Sequence, residues 1–163
     1  MKKFLGLLLA GVMALSLAGC GGDDKAEGLV DYINTDIQEA VDIEVEMLES
    51  YRSVTGENYT DDLTSYDEIV NNTIVLAREL NDELTELSGE IEDEAILEVH
   101  KDYMAYASEY LSALGLMISA LENQDYAQMS EANEKISNAN MYSLEFQSGI
   151  KALAEEYGVE LNS

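Results

Sequence analysis

Apolar residues recur every three or four positions along most of the chain, and this spacing is the feature that most restricts how the chain can fold. An α-helix brings such positions to one face, whereas a half-buried strand requires alternation with a period of two. Proline, which interrupts helices, is absent from all 163 residues. The pattern is most regular near the end of the chain, at Met129, Ala132, Ile136, Ala139, Ser143, Phe146, Ile150, Leu153 and Tyr157. The spacing predicts a long amphipathic helix there.

Three earlier segments carry the same periodicity. The third has two adjacent apolar rows, which give a wide face suited to a helix with more than one neighbour. These rows are Leu97, His100, Met104, Ala107, Leu111, Leu114, Ile118 and Leu121, and Ile96, Val99, Tyr103, Tyr106, Tyr110, Ala113 and Met117. The second segment repeats at Leu63, Tyr66, Val70, Thr73, Ala77, Leu80, Leu84 and Leu87. The first passes, in a less regular register, from Val30, Ile33, Ile37 and Ala40 to Val41, Val45, Leu48 and Tyr51.

Short polar breaks separate the four segments, at Gly56–Thr60, Ser88–Gly89 and Asn123–Asp125, and Gly158 closes the last one. Thr60 can cap the second helix, and Asp125 with Gln128 three residues on has the form of a capping box. Segments of about 28 to 33 residues joined by short loops predict an all-α fold. The expected arrangement is an antiparallel up-down-up-down four-helix bundle about 45 Å long. An extended coiled coil is the alternative, and no alternating run predicts a strand.

Acidic residues dominate the charge of the chain. It has 34 Asp and Glu against eight Lys and Arg, which gives a formal net charge of −26. A chain of this kind has no basic patch with which to neutralise phosphates, so nucleic acid is excluded as a partner. Anionic lipid head groups also repel it. Because 47% of the residues are hydrophobic, the acidity does not indicate disorder, and the length suits one domain.

The beginning of the chain differs from the rest. Lys2 and Lys3 precede an apolar run, 4–18, of about 15 residues, which as a helix rises about 22 Å. A permanent membrane span needs roughly 20 apolar residues, so the run fits the apolar part of an export signal. It leads into Leu17, Ala18, Gly19 and Cys20, the only cysteine. This order of residues resembles the lipobox, the processing site of bacterial lipoproteins.

The resemblance implies that the sulfur of Cys20 receives a diacylglyceryl group and that a signal peptidase, recognising Leu17, Ala18 and Gly19, cleaves before it. Residues 1–19 are then a signal peptide, 20–25 a flexible acidic spacer and 26–163 the helical domain. Two acyl chains anchor a protein stably where one binds only marginally, so the expected location is the extracytoplasmic face of the cell membrane. Loss of the two N-terminal lysines changes the net charge from −26 to −28. A plain secretory signal with a chance cysteine, or a core helix, is the alternative.

No pattern indicates catalysis, a metal centre or a cofactor. A di-iron site in a helical bundle requires Glu-x-x-His on two helices, but the single histidine, His100, has Leu97 at that spacing. His100 lies on an apolar row and is expected to be a hydrogen-bonded core residue. An acylated Cys20 is no nucleophile, and the chain has neither Trp to stack on a sugar nor a calcium-binding loop. The acidic clusters at 61–68 and 90–94 are expected to stabilise helix N-termini.

Tyrosine is frequent, with ten residues against two Phe. Tyr103, Tyr106 and Tyr110 form a stripe that is either core or, if exposed, a candidate interaction stripe, since Tyr is enriched at binding hot spots. The tail ALAEEYGVEL is similar to the ends of small helical lipoproteins of Firmicutes-type bacteria, a family without a transferable function. The sequence predicts a non-enzymatic, membrane-anchored binding module for an unidentified envelope protein or peptide. A cation- or small-ligand-binding accessory lipoprotein is the alternative, and an envelope hydrolase a third.

Overall fold

The protein is mostly helical, which confirms the all-α prediction. A computed structural model describes residues 14–17 and 24–162. The α-helices are α1 (Asp24–Asp31), α2 (Gln38–Ser53), α3 (Asp62–Glu68), α4 (Ile74–Ser88), α5 (Glu94–Asn123) and α6 (Tyr126–Tyr157). Two π-helical turns, π1 (Tyr32–Asp36) and π2 (Ile69–Thr73), lie between α1 and α2 and between α3 and α4, and a 3₁₀ turn occupies Gly56–Asn58. The breaks predicted at 56–60, 88–89 and 123–125 fall between helices, whereas the two π-helical turns were not predicted.

Aspartate caps start three of the helices. Asp61, Asp93 and Asp125 accept hydrogen bonds from backbone N–H groups in the first turns of α3, α5 and α6, which satisfies donors that a helix N-terminus leaves unpaired. The prediction that Thr60 caps the second segment was wrong by one residue, because Asp61 does so. At the other end of α6, Gly158 adopts a left-handed conformation with φ of 69°, which glycine reaches without strain.

The described residues include one short sheet that the sequence did not predict. Strands β1 (Ala14–Leu17) and β2 (Val159–Asn162) pair antiparallel, with Leu17 opposite Val159 and Ala14 opposite Asn162. Four-residue strands are too short to show an alternating pattern, which is why periodicity could not reveal them. The prediction of no strand was therefore wrong for these two segments.

Helices α5 and α6 lie antiparallel against each other. Val99 meets Gly149, Tyr103 meets Phe146, and Glu109 meets Lys135, so the residue number on one helix rises as the other falls. The row predicted for α6 is confirmed as its inner face, since Ala132, Ala139, Ser143, Phe146, Ile150 and Leu153 are all buried. Helix α5 also contacts the earlier helices, through the bond from Tyr103 to Glu44 of α2 and that from His100 to Leu84 of α4.

Helix α5 is the one described helix that is long and apolar enough to cross a membrane. Its apolar residues include many of the buried side chains of the core, and a core helix passes the same test of length and apolarity. Helix α1 begins at Asp24, so Asp24 and Lys25, predicted to be part of a flexible spacer, are helical. The Lys25 ammonium lies 5.3 Å from the centre of the Tyr157 ring of α6.

Candidate functional site

The predicted lipidation site falls mostly outside the described residues. Leu17 is the last residue of β1, whereas Ala18, Gly19 and Cys20 belong to the undescribed segment 18–23. Their roles in anchoring and in signal-peptidase recognition stay predictions.

The tyrosine stripe of α5 is buried. Tyr103, Tyr106 and Tyr110 are each at most 3% exposed, and successive rings in the series lie about 6 Å apart. These three tyrosines are therefore core residues, which was the first of the two interpretations of the stripe. They offer no surface to a partner. Burial raises the pKa of each phenol well above its ordinary value.

A carboxyl group is buried beside this stripe. Glu44 of α2 is 2% exposed, and the Tyr103 hydroxyl donates a hydrogen bond of 2.7 Å to its Oε2. Burial raises the pKa of Glu44 from 4.5 to about 7, against the opposing effects of hydrogen bonds from Tyr103 and Tyr106 and the charge of Arg52. A carboxyl that titrates near neutral pH is a feature shared by many functional sites, but here no described pocket reaches it.

His100 is a fully buried residue with both ring nitrogens engaged. Its Nε2 lies 2.8 Å from the Leu84 carbonyl oxygen, which can only accept, so Nε2 carries the proton. In the neutral ring Nδ1 then accepts a 2.8 Å hydrogen bond from the Tyr32 hydroxyl. Burial lowers the pKa of His100, which favours this neutral form. The environment is that of a structural histidine, as the apolar row predicts.

One concave site in the described chain lies between the end of α2, the start of α3 and the α5–α6 turn, and we call it the end cavity. Its volume is about 510 Å³, within the range of small-molecule sites. The C-terminal part of α2, the loop 54–59, the start of α3 and the α5–α6 turn surround it. Its lining residues include three tyrosines, two methionines and two aspartates: Tyr51, Tyr59, Tyr126, Met117, Met129, Asp62 and Asp125.

Local hydrogen bonds fix the backbone around the end cavity. The Thr55 hydroxyl donates to the Tyr51 carbonyl at 2.7 Å, and the buried Ser65 hydroxyl donates to the Val54 carbonyl at 2.9 Å, which ties the loop to α2 and α3. On the opposite wall, Gln124 adopts a left-handed conformation with φ of 52°. This turn is short because the Asp125 N–H already bonds the Ala120 carbonyl at 2.9 Å.

The rim of the end cavity presents apolar side chains to solvent. Tyr126 is 89% exposed and Tyr59 is 51% exposed, and Leu63, which is 69% exposed, lies beside the cavity. These three are half of the large apolar side chains that are exposed in the described chain. A shallower hollow of about 250 Å³ adjoins the cavity and shares Asp62 and Leu121 with it. Isolated exposed apolar residues are ordinary, whereas exposed apolar residues grouped around a cavity are a feature that many binding surfaces share.

The carboxylates that line the end cavity, Asp62 and Asp125, accept hydrogen bonds. Asp62 Oδ1 accepts a 2.7 Å hydrogen bond from the Tyr59 hydroxyl, and this bond raises the pKa of that phenol. Asp125 uses Oδ1 to cap α6. No Lys, Arg or His side chain is among the residues that line the cavity in the described chain.

Neither a metal centre nor an activated nucleophile is assembled at this place. Within residues 24–162, no three His, Cys, Asp or Glu side chains lie close enough together to share a metal ion. The acidic clusters at 61–68 and 90–94 instead supply the caps Asp61 and Asp93, which agrees with the structural role expected for them. The cavity offers apolar surface, aromatic rings and carboxylates.

No family model, curated protein or solved structure matches the chain. The end cavity was not foreseen from the sequence, because its lining comes from segments that are up to about 80 residues apart and each looks like an ordinary break between helices. The sequence does contain one indication of the cavity. Tyr59 lies within a polar break and Tyr126 directly after one, positions where a large aromatic side chain is not needed for the core.

Proposed function

We propose that this chain is a membrane-anchored, extracytoplasmic lipoprotein that acts as a non-enzymatic binding module. The binding role rests on one observation, the end cavity of about 510 Å³ with its exposed apolar rim. The anchor rests on the order Leu17, Ala18, Gly19 and Cys20 after an apolar run too short to span a membrane.

We also propose that the four helical segments form an up-down-up-down four-helix bundle. Antiparallel packing of α5 and α6 supports this arrangement, as do the bonds that join α5 to α2 and α4. At the cavity end, the Tyr66 hydroxyl of α3 donates to Glu122 of α5 at 2.6 Å. In this arrangement a short bifunctional crosslinker should join cysteines placed by Leu63→Cys and Glu122→Cys in a Cys20→Ser chain. An extended coiled coil would leave that pair uncrosslinked within one molecule.

A non-catalytic role is supported by the state of the residues that most often do chemistry. The single histidine is buried with both nitrogens engaged, and Glu44 faces tyrosine hydroxyls in the core. Processing after Gly19 removes β1, so the mature chain keeps β2 without that partner strand. The net charge of −28 after processing holds the domain away from anionic lipid, with the cavity open to the extracytoplasmic space.

The anchor is tested by the mass of the native product from a bacterial host. The proposal requires a chain that begins at Cys20 and carries diacylglyceryl on its sulfur, and the product should partition into the detergent phase. Cys20→Ser should stay unprocessed, whereas the matched change Ser16→Ala in the same segment should be processed normally. An unmodified Cys20, or residues 1–19 still attached, contradicts the anchor.

The binding role is tested separately by crosslinking on intact cells. A photoreactive phenylalanine at position 126, on the cavity rim, should capture a defined molecule, and the same group at exposed Met141 of α6 should not. Equal labelling from both positions would contradict a binding role for the cavity.

A further inference from the structure

The chemistry of the end cavity specifies the charge of its ligand. Asp62 and Asp125 are the ionisable groups on its wall besides the tyrosines, and no basic side chain lies among the lining residues of the described chain. An anionic ligand would meet two carboxylates and the field of a chain with a net charge of −26. The same field concentrates cations near the opening. Charge complementarity therefore favours a positively charged ligand.

The aromatic side chains of the rim point to an organic cation over a bare metal ion. Tyr59 and Tyr126 both line the cavity. The face of a tyrosine ring attracts an ammonium or quaternary ammonium group within about 6 Å. A metal ion, by contrast, requires several oxygen ligands that converge, and no such cluster is present among the described residues.

The volume and the deeper wall indicate that the cation carries an apolar body. Met117, Met129 and Ile69 line the cavity below the rim. Methionine is flexible and polarisable and packs well against ligands of different shape. A space of about 510 Å³ is much larger than one ammonium group, so the apolar part of the ligand must fill most of it.

From these observations we infer that the end cavity binds an apolar organic cation, with the positive group held at Asp62, Tyr59 and Tyr126 and the apolar body against Met117 and Met129. The inference rests on the proposed binding function and names the class of ligand. It assigns no reaction, since the carboxylates and rings bind the cation without bond formation.

Three probes of nearly equal shape and different charge test the inference. They are para-(trimethylammonio)benzyl alcohol, its neutral analogue para-tert-butylbenzyl alcohol, and the anion para-tert-butylbenzoate. Titration calorimetry measures their binding to the full chain held in phosphatidylcholine nanodiscs, with empty nanodiscs as the blank. We expect the cation to bind about tenfold more tightly than the neutral alcohol, and the anion to bind more weakly than both.

Two variants locate the positive group. Asp62→Asn keeps the shape of the side chain and should weaken binding of the cation about fivefold to tenfold, with little change for the neutral alcohol. The matched control, Asp67→Asn, removes the same charge from an exposed residue of α3 that is not part of the cavity lining, and should change binding less than twofold. Tyr126→Leu keeps apolar bulk but lacks the ring, and should weaken the cation about threefold. Circular dichroism checks that each variant stays helical.

Preference for the cation, reduced by Asp62→Asn and not by Asp67→Asn, supports the inference. Equal binding of the cation and the neutral alcohol overturns the ligand class, and so does binding of none of the probes at millimolar concentration. Capture at position 126 by an apolar, uncharged molecule would uphold the binding function and refute the inference alone. Equal crosslinking from positions 126 and 141 would refute the binding function itself.

Discussion

Replacing Glu44 with glutamine should stabilise the protein at alkaline pH. Glu44 is 2% exposed, and burial raises the pKa of its carboxyl from 4.5 to about 7. Above pH 7 the folded chain must therefore hold a charge that water no longer solvates. Glutamine has nearly the same shape, and its carbonyl can accept the bond that Tyr103 now donates to Oε2 at 2.7 Å.

The magnitude follows from the difference between the two pKa values. Between pH 4.5 and about 7 the folded chain binds a proton at Glu44 that the unfolded chain has lost, so the free energy of unfolding falls as the pH rises. Each pKa unit corresponds to about 1.4 kcal/mol, which gives a loss of about 3 kcal/mol across this window. Glu44→Gln lacks this loss. Relative to the parent chain, its stability should rise by about 3 kcal/mol from pH 4.5 to pH 8.

The free energy of unfolding must be compared between the parent chain and Glu44→Gln at each pH, because other groups titrate in the same range. His100 has a lowered pKa in the folded chain, so its contribution to stability is present above pH 6.5 and is lost as the pH falls, the opposite direction to Glu44. His100 is present in both chains and cancels. Urea unfolding of the full chain in a nonionic detergent, followed by circular dichroism from pH 4.5 to 8.5, gives the two curves.

A matched control removes the effect of net charge. Glu46 lies on the same helix and is exposed, so Glu46→Gln relieves the same repulsion among acids without changing a buried group. Its advantage over the parent should change by less than about 0.5 kcal/mol over the same range. If Glu44→Gln and Glu46→Gln gave parallel curves, the carboxyl of Glu44 would be ionising in contact with water, and the account of a buried titrating group would be wrong.

Three further predictions concern packing, capping and the second buried polar group. A Cβ at Gly149 would lie 2.7 Å from a Val99 methyl, so Gly149→Ala should destabilise by about 1 kcal/mol in urea unfolding, yet become stabilising in a Val99→Ala chain. Asp125→Ala should cost about 1 kcal/mol by removing the cap of α6, and Asp125→Asn should retain most of it. Tyr32→Phe leaves His100 Nδ1 without its donor and should cost about 1–3 kcal/mol at pH 8; a smaller loss at that pH would mean that water replaces the phenol.

Much of the fold could be predicted because its signals are local. Helix ends depend on a cap or a glycine within a few residues, and so Asp125 and Gly158 indicated the ends of the last helix correctly. Helix α6 has no π-helical turn, and its 3–4 apolar row matches its buried face. In a helix without such a turn, the same 3–4 spacing predicts the buried face from the first residue to the last.

The first two segments were harder to predict because each contains a π-helical turn. Such a turn holds one extra residue, so the face that is buried after it is offset from the face before it. The row predicted through Leu63 and Tyr66 misses the observed inner face, where Ser65 and Ile69 are buried. Leu63 is instead 69% exposed and lines the hollow beside the end cavity.

The buried carboxyl of Glu44 was missed because the predicted row leaves the inner face of α2 after Ala40. From Ile37 and Ala40 the inner face of α2 continues through Glu44 and Met47, whereas the predicted row moved to Val41 and Val45, which are only partly buried. An apolar pattern passes over a glutamate because isolated acids are usually exposed. Glu44 can be buried because Tyr103, on another helix, donates a hydrogen bond to it. The spacing of residues within α2 contains no information about this partner.

The frequency of tyrosine has a physical cause in the shortage of basic residues. Eight Lys and Arg cannot satisfy 34 acids, and buried or half-buried acceptors still need donors. Phenol hydroxyls supply them: they donate to the carboxylates of Glu44, Asp62, Asp93 and Glu122, and to the imidazole of His100. Phenylalanine would fill the same volume but leave the buried acceptors, Glu44 and His100 Nδ1, unpaired. In this acidic protein, which has few basic residues, tyrosine therefore serves both as an aromatic core residue and as a hydrogen-bond donor.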